Sequence, residues 1–207
     1  MHRDDKSKVR IDHIISFSDA IFAFSITFMA LSIQFPISQS DILTQKEITS
    51  KLLELQPQFE TYAISFFIVG IYWISYHQLF NHITKSHSIT TWLNLLFLFF
   101  ITLISFTTSL QINYGYYSII FIIYSIVLTI TGTLLSLIWI HAKFTNHIDK
   151  TMYDTQITNV LLDSIIPPII FALSIPISFI NIDIAQYFWL IIIPSKIIIR
   201  KKYPIKI

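Results

Sequence analysis

The sequence predicts an all-α integral membrane protein with six transmembrane helices. Three observations carry this. Hydrophobic residues make up 54% of the 207-residue chain and charged residues 13%, with a mean hydropathy of +0.64, whereas a soluble domain carries about 25% charged residues. Six apolar runs have about the length a helix needs to cross a bilayer, roughly 20 residues at 1.5 Å each. Reading six spans also places 12 of the 14 Lys and Arg on one side of the membrane, the asymmetry expected of cytoplasmic loops. An odd number of spans destroys that separation.

The first span is read as residues 13–35, closed by Pro36, with a single acid, Asp19, inside it. A carboxylate there costs about 2.5–3.5 kcal/mol on insertion scales, so it should face protein or water and have a task. The second span is read as 59–81, the third as 89–110 and the fourth as 116–141, with a tight hairpin at 111–115. The fifth is 161–180 and holds Pro167, Pro168 and Pro176; prolines survive in a span where neighbours satisfy the freed carbonyls, so a bent, packed helix is expected. The sixth, 184–199, is short and contains Pro194.

Arg3, Lys6, Lys8 and Arg10 precede the first span, Lys85 follows the second, and Lys143 and Lys150 follow the fourth. Lys196, Arg200, Lys201, Lys202 and Lys206 close the chain, and only Lys46 and Lys51 fall on the opposite side, in a loop with Asp41, Glu47 and Glu54. Both termini are therefore expected in the cytoplasm of a cell-membrane (plasma or inner membrane) protein. In the loop 36–58, Ile48, Leu52, Leu53 and Leu55 form a helical apolar stripe, which predicts a short interfacial helix.

Residues 1–207 read as one membrane domain, without internal repeats. The first span is too long for a signal peptide core, and no small-residue cleavage site follows it. The absence of cysteine removes disulfides, thiolate metal sites and cysteine nucleophiles. A net charge of +2 is too small and dispersed for nucleic acid. No cofactor is expected. His82, His87, His141 and His147 lack the paired spacing of a metal site and read as solvated loop residues. Asp163 reads as a cap or interface residue at the start of the fifth span, and Gly132 as a close-packing point between helices. Asp19 is then the only acid deep within a span.

On the first helix, Phe17, Ile21, Phe24, Phe28 and Leu31 share a face, with Thr27 at its edge, while Ser18 and Asp19 point away from it. The ordinary reading packs that stripe against lipid or other spans. The sharper one lines a narrow pore with it and uses Asp19 to hold the helix to its neighbours.

The residues His13-Ile-Ile-Ser-Phe17-Ser18-Asp19-Ala20 and Phe22-Ala23-Phe24-Ser25-Ile26-Thr27 resemble the first-span signature of the endosomal and lysosomal potassium channel family, which has bacterial and archaeal members. Tyr72-Trp73, His77 and Phe80 resemble its second span, and Trp92-Leu93-Asn94-Leu95-Leu96-Phe97 the start of its third. The chain departs from the pattern at His13, where the family has arginine; Arg10, one turn earlier, is placed to substitute. It departs again at Phe24, where isoleucine or leucine is usual, and at Ser105-Phe106-Thr107-Thr108, where many members carry proline.

The resemblance implies a homotetramer with four copies of the first span around a central pore. It implies that Phe24 forms the narrowest ring, Thr27 a polar ring beside it that potassium visits transiently, and Phe28 and Leu31 further apolar rings. His13, Ser18, Asp19, Trp73, His77 and Asn94 are implied to form a structural polar network. The implied function is a potassium-permeable leak channel, not an enzyme, gated by apolar rings that exclude water. The sequence lacks the Thr-Val-Gly-Tyr-Gly loop of a carbonyl filter; Tyr114-Gly115-Tyr116 is the nearest string. The competing reading is a proton-coupled or small-solute carrier in which Asp19 and His77 exchange protons; carriers commonly have paired repeats and matching broken helices, and only the fifth span looks broken.

Overall fold

A computed structural model describes residues 10–35 and 44–203. Arg3, Lys6, Lys8, Pro36, Asp41 and Lys206, used above for orientation and span ends, lie outside them. The described residues form α-helices α1 (Ile11–Ala30), α2 (Gln45–Glu54), α3 (Gln56–Phe80), α4 (Ser88–Tyr114), α5 (Ser118–Phe144), α6 (Asp154–Ser178), α7 (Ile182–Tyr187) and α8 (Ile192–Lys202). A 3-10 turn, Phe188–Ile191, joins α7 to α8. Six stretches are long and apolar enough to span a membrane: α1, α3, α4, α5, α6 and the segment Ile182–Lys202.

Each expected span is present, with boundaries moved by local hydrogen-bonding chemistry. The first, expected over 13–35, begins at Ile11 and leaves the helix after Ala30, with Leu31 as its C-cap. The second begins at Gln56 because Pro57 fits a first turn, where no intrahelical N–H is needed. The hairpin expected at 111–115 is displaced: α4 continues through Gln111, Ile112, Asn113 and Tyr114, and the turn falls at Gly115–Tyr117. The third helix opens at Ser88, one residue after His87, whose side chain accepts from the Ile89 N–H. The fourth runs on to Phe144.

The fifth span differs most. It starts at Asp154 rather than 161, because Tyr153 N–H donates to the Gln156 side chain at 2.9 Å and closes the first turn of a polar segment that hydropathy reads as loop. Asp163 thus sits in the third turn, well inside the helix. The sixth span, expected over 184–199, runs over Ile182–Lys202 and is interrupted by the 3-10 turn, with Asn181 capping the Ile184 N–H. Pro194 lies in the first turn of α8, where it is tolerated.

The short helix α2 occupies the loop where an interfacial helix was expected. Thr44 and Glu47 form a reciprocal capping box, with Thr44 N–H donating to the Glu47 carboxylate at 2.8 Å. These bonds from the Thr44 backbone and hydroxyl hold the Glu47 carboxyl below the usual carboxylate range. Ile48, Leu52 and Leu53 are exposed, while Leu55 is buried.

The core is aromatic. Phe22 of α1 meets Tyr76 of α3 and Phe97 of α4 at ring separations of 5.7 and 5.9 Å, and Tyr76 stacks on Phe97 at 5.7 Å. Trp189, in the 3-10 turn, stacks on Phe121 at 5.2 Å and donates its indole N–H to Ser174 at 2.9 Å, which seats the interrupted last span against α5 and α6. The α5–α6 packing depends on Gly132. A Cβ there would lie 2.7 Å from Pro168 Cδ and 2.9 Å from its Cγ, and the rigid ring cannot move aside. Gly132→Ala is expected to cost about 1–3 kcal/mol, the range for overpacking a tight core, and to lower the thermal midpoint of the purified protein.

On one side of the bundle the α3–α4 and α5–α6 loops are joined by an antiparallel bridge between Ile83 and Ile148. Thr84 N–H donates to the His147 carbonyl at 2.8 Å and Asp149 N–H to that of His82 at 2.9 Å.

Candidate functional site

Helix α1 has two unlike faces. Ile14, Ser18, Phe22, Ser25 and Met29 are buried against α3 and α4. The opposite face leaves Phe17, Phe24, Phe28 and Leu31 between 50% and 69% exposed, a ridge left largely bare by the described residues. Phe24 and Phe28 lie 4.7 Å apart, ring to ring. Ile21 is partly buried, and Thr27 is exposed with its hydroxyl donating to the Ala23 carbonyl at 2.8 Å. Leu31 caps the helix rather than sitting within it. Beside the ridge runs a groove of about 510 Å³, shared with Thr102, Ser105 and Phe106 of α4. Ser105 donates to the Ser25 carbonyl at 2.8 Å, fixing α4 against α1 at this level.

The buried side is pinned by polar contacts about two turns from the start of α1. Asp19 Oδ1 accepts from Trp73 Nε1 at 2.9 Å and lies 2.7 Å from His77 Nε2. A carboxylate is acceptor-only, so this His77 nitrogen carries the proton. Trp73 and His77 hold each other edge to face at 4.7 Å. Next to them, Ser18 donates to the Ile14 carbonyl at 2.7 Å, lies 2.7 Å from the Tyr76 hydroxyl, and accepts from Asn94 Nδ2 at 3.2 Å. Five of the six residues named for the polar network thus meet, in two adjoining groups. Asn94 reaches Ser18, not Asp19. The Asp19 side chain is 43% exposed and meets two partners, Trp73 and His77.

His13 stands apart. It is exposed and makes no side-chain hydrogen bond among the described residues, because the start of α1 turns it away from α3. Arg10, one turn earlier, pairs with Asp12 at 3.1 Å instead of reaching Asp19. Tyr76 is the member of the cluster that sequence reasoning missed; its position one residue before His77, facing Ser18, was the available signal.

Asp19 is also not the only acid deep in a span. Asp163 of α6 is buried and bonded to Lys196 of α8 and Ser75 of α3 at 2.5 and 2.8 Å; its Oδ1 has no partner among the described residues. The signal was Pro167: four residues after Asp163, it leaves the Asp163 carbonyl without its helical donor. The loop histidines are not simply solvated either. His87 lies 5.5 Å from His141 and 6.1 Å from His147, ring to ring, all half-buried because the bridged loops fold over the helix ends. Among the described residues no group of three potential ligands converges on a metal position. Burial pushes His82 below the ordinary histidine range, with Asp149 opposing it.

Residues 13–104 match the family model of the endosomal/lysosomal potassium channel TMEM175. A potassium channel of Streptomyces collinus is 26% identical over 137 residues, 64% of this chain and 65% of its own. A potassium channel of Chryseobacterium is 34% identical over 93 residues, 45% of this chain and 44% of its own. The chain therefore matches less than two thirds of the length of these relatives. The crystal structure of a lysosomal potassium-selective channel TMEM175 homolog from Chamaesiphon minutus superposes with a TM-score of 0.77 at 21% identity, covering 91% of this chain and 97% of that one. This likeness is one of fold.

Proposed function

We propose that this chain, which matches the TMEM175 family model over residues 13–104, forms a homotetrameric, potassium-permeable leak channel whose pore is lined by α1. The observation that carries this reading is the division of α1 into a pinned face and a bare one. Ser18 and Asp19 tie the helix to α3 and α4, and the ridge of Phe24, Phe28 and Leu31 is left for copies of itself. One helix per subunit can line a pore only when several subunits close around an axis.

In this arrangement Phe24 forms the narrowest ring. Thr27 offers hydroxyl oxygen to a potassium ion that has shed part of its water, and Phe28 and Leu31 form further apolar rings. Narrow apolar rings gate by dewetting. Selection rests on side chains and on the difference in dehydration cost between potassium and sodium, so it is modest. The distribution of Lys and Arg supports a topology with both termini in the cytoplasm.

The test is flux. Purified protein in liposomes is expected to pass potassium down its gradient without moving protons in exchange, and its mass in mild detergent to be that of four chains. Strict proton coupling, or saturable transport of a solute, would replace the channel with a carrier.

A further inference from the structure

We propose that Lys196 is a positioning residue for the pore helix: with Asp163 and Ser75 it fixes the height and rotation of α3, and through α3 the grip of Trp73 and His77 on Asp19. The functional half of this inference rests on the channel reading above; the mechanical half rests on contacts within one subunit.

The Lys196 ammonium has three donors and meets three acceptors. They are Asp163 Oδ2, Ser75 Oγ at 2.7 Å, and the Asp163 backbone carbonyl at 3.2 Å. The last of these is the carbonyl that Pro167 deprives of its helical N–H, so one side chain closes the proline break and neutralises the acid beside it. Ser75 completes the triangle by donating to Asp163 Oδ2 at 2.8 Å. The Lys196 and Asp163 side chains are 12% and 2% exposed. A charged pair held this far from water makes α3, α6 and α8 resist sliding, since a shift by one residue would strand a charge in an apolar medium. One turn along, Gln78 donates to Asn159 at 3.3 Å and Asn159 donates to the Tyr203 carbonyl at 2.5 Å, so the same three elements are tied twice.

The position of Ser75 gives the triad its reach. At 3.6 residues per turn, Trp73 and His77 lie about 40° apart around α3, and Ser75 about 160° from each of them. A segment of just over one turn is therefore held on one flank by Asp19 and on the opposite flank by Asp163 and Lys196. Rotating or lifting that segment to suit one clamp moves it against the other. The bonds from His77 and Trp73 to Asp19, 2.7 and 2.9 Å long, tolerate little of this.

The experiment uses the full chain and a pair that keeps the membrane interior satisfied, Asp163→Leu with Lys196→Met, because replacing both members of a buried ion pair by apolar residues is commonly tolerated. The readouts are the His77 ring ¹⁵N resonances, assigned with His77→Gln, and potassium flux in liposomes. The pair is expected to keep a near-native thermal midpoint yet shift the His77 resonance and change flux by about threefold or more. In an Asp19→Asn background its effect on flux should largely vanish, as non-additivity within one network requires. An unmoved His77 resonance, or equal effects on flux in both backgrounds, would reduce the triad to a tether for the last span and overturn the proposal. Should the pair fail to fold, Ser75→Ala leaves the ion pair and cuts its link to α3, and must move His77 in the same way. If the unmodified protein carries no potassium, the channel reading falls, while the His77 resonance still decides the coupling.

Discussion

Phe24→Ala is expected to raise potassium flux on the order of tenfold, equivalent to about 1.4 kcal/mol off the barrier to permeation. Phe24 is 61% exposed on the bare ridge of α1, and its contact with Phe28 at 4.7 Å is the only aromatic one it makes among the described residues. Its removal leaves the subunit core intact. In the proposed tetramer the change is made four times at one level, so the proposed constriction would widen and its walls would lose the apolar surface that expels water. Selectivity should fall with it, because a wider ring demands less dehydration. Ile26→Ala is the control. Ile26 is partly buried and packed against the core, so its truncation should lower stability and leave permeation nearly unchanged. Similar small effects on single-channel conductance at the two positions would return the ridge to lipid contact.

Asp19→Ala is expected to loosen α1 from α3. The substitution removes the acceptor shared by Trp73 Nε1 and His77 Nε2. An orphaned donor costs about 1–3 kcal/mol when buried, and the half-exposed setting of this carboxylate puts the loss nearer 1 kcal/mol for each. The thermal midpoint should drop and the yield of the proposed tetramer should fall, since α1, free to rotate, would present its ridge poorly. Asp19→Asn retains an acceptor oxygen and should recover part of both. Unchanged melting and assembly in Asp19→Ala would mean that Ser18, Tyr76 and Asn94 hold the helix without it.

Hydropathy alone located all six spans, because membrane burial demands long apolar runs whatever their contacts. It misplaced their ends where backbone hydrogen-bonding groups are met by polar side chains, as at Tyr153 and Gln156, since a capped polar turn has the composition of a loop. Asp19 stood out as an acid in an apolar run, but its pairing with Trp73 and His77 was legible only through resemblance to a family. The pairing of Asp163 with Lys196 was not legible, for a geometric reason. Each lies near one end of an apolar run, where charge is ordinary, and they are 33 positions apart. Only the early start of α6 and the interrupted last span bring them to one depth. The half-buried histidines were missed similarly, because loops that fold back over helix ends leave no periodic trace.

The bridge between Ile83 and Ile148 carries a practical corollary for engineering this molecule. With Thr84 bonded to His147 and Asp149 to His82, the two connections behave as one strap. An epitope or fluorescent reporter spliced into either of them would pry open the other, disturbing four helices at once. The turn at Gly115–Tyr117 has no such cross-link among the described residues, so it is the better place for an inserted tag.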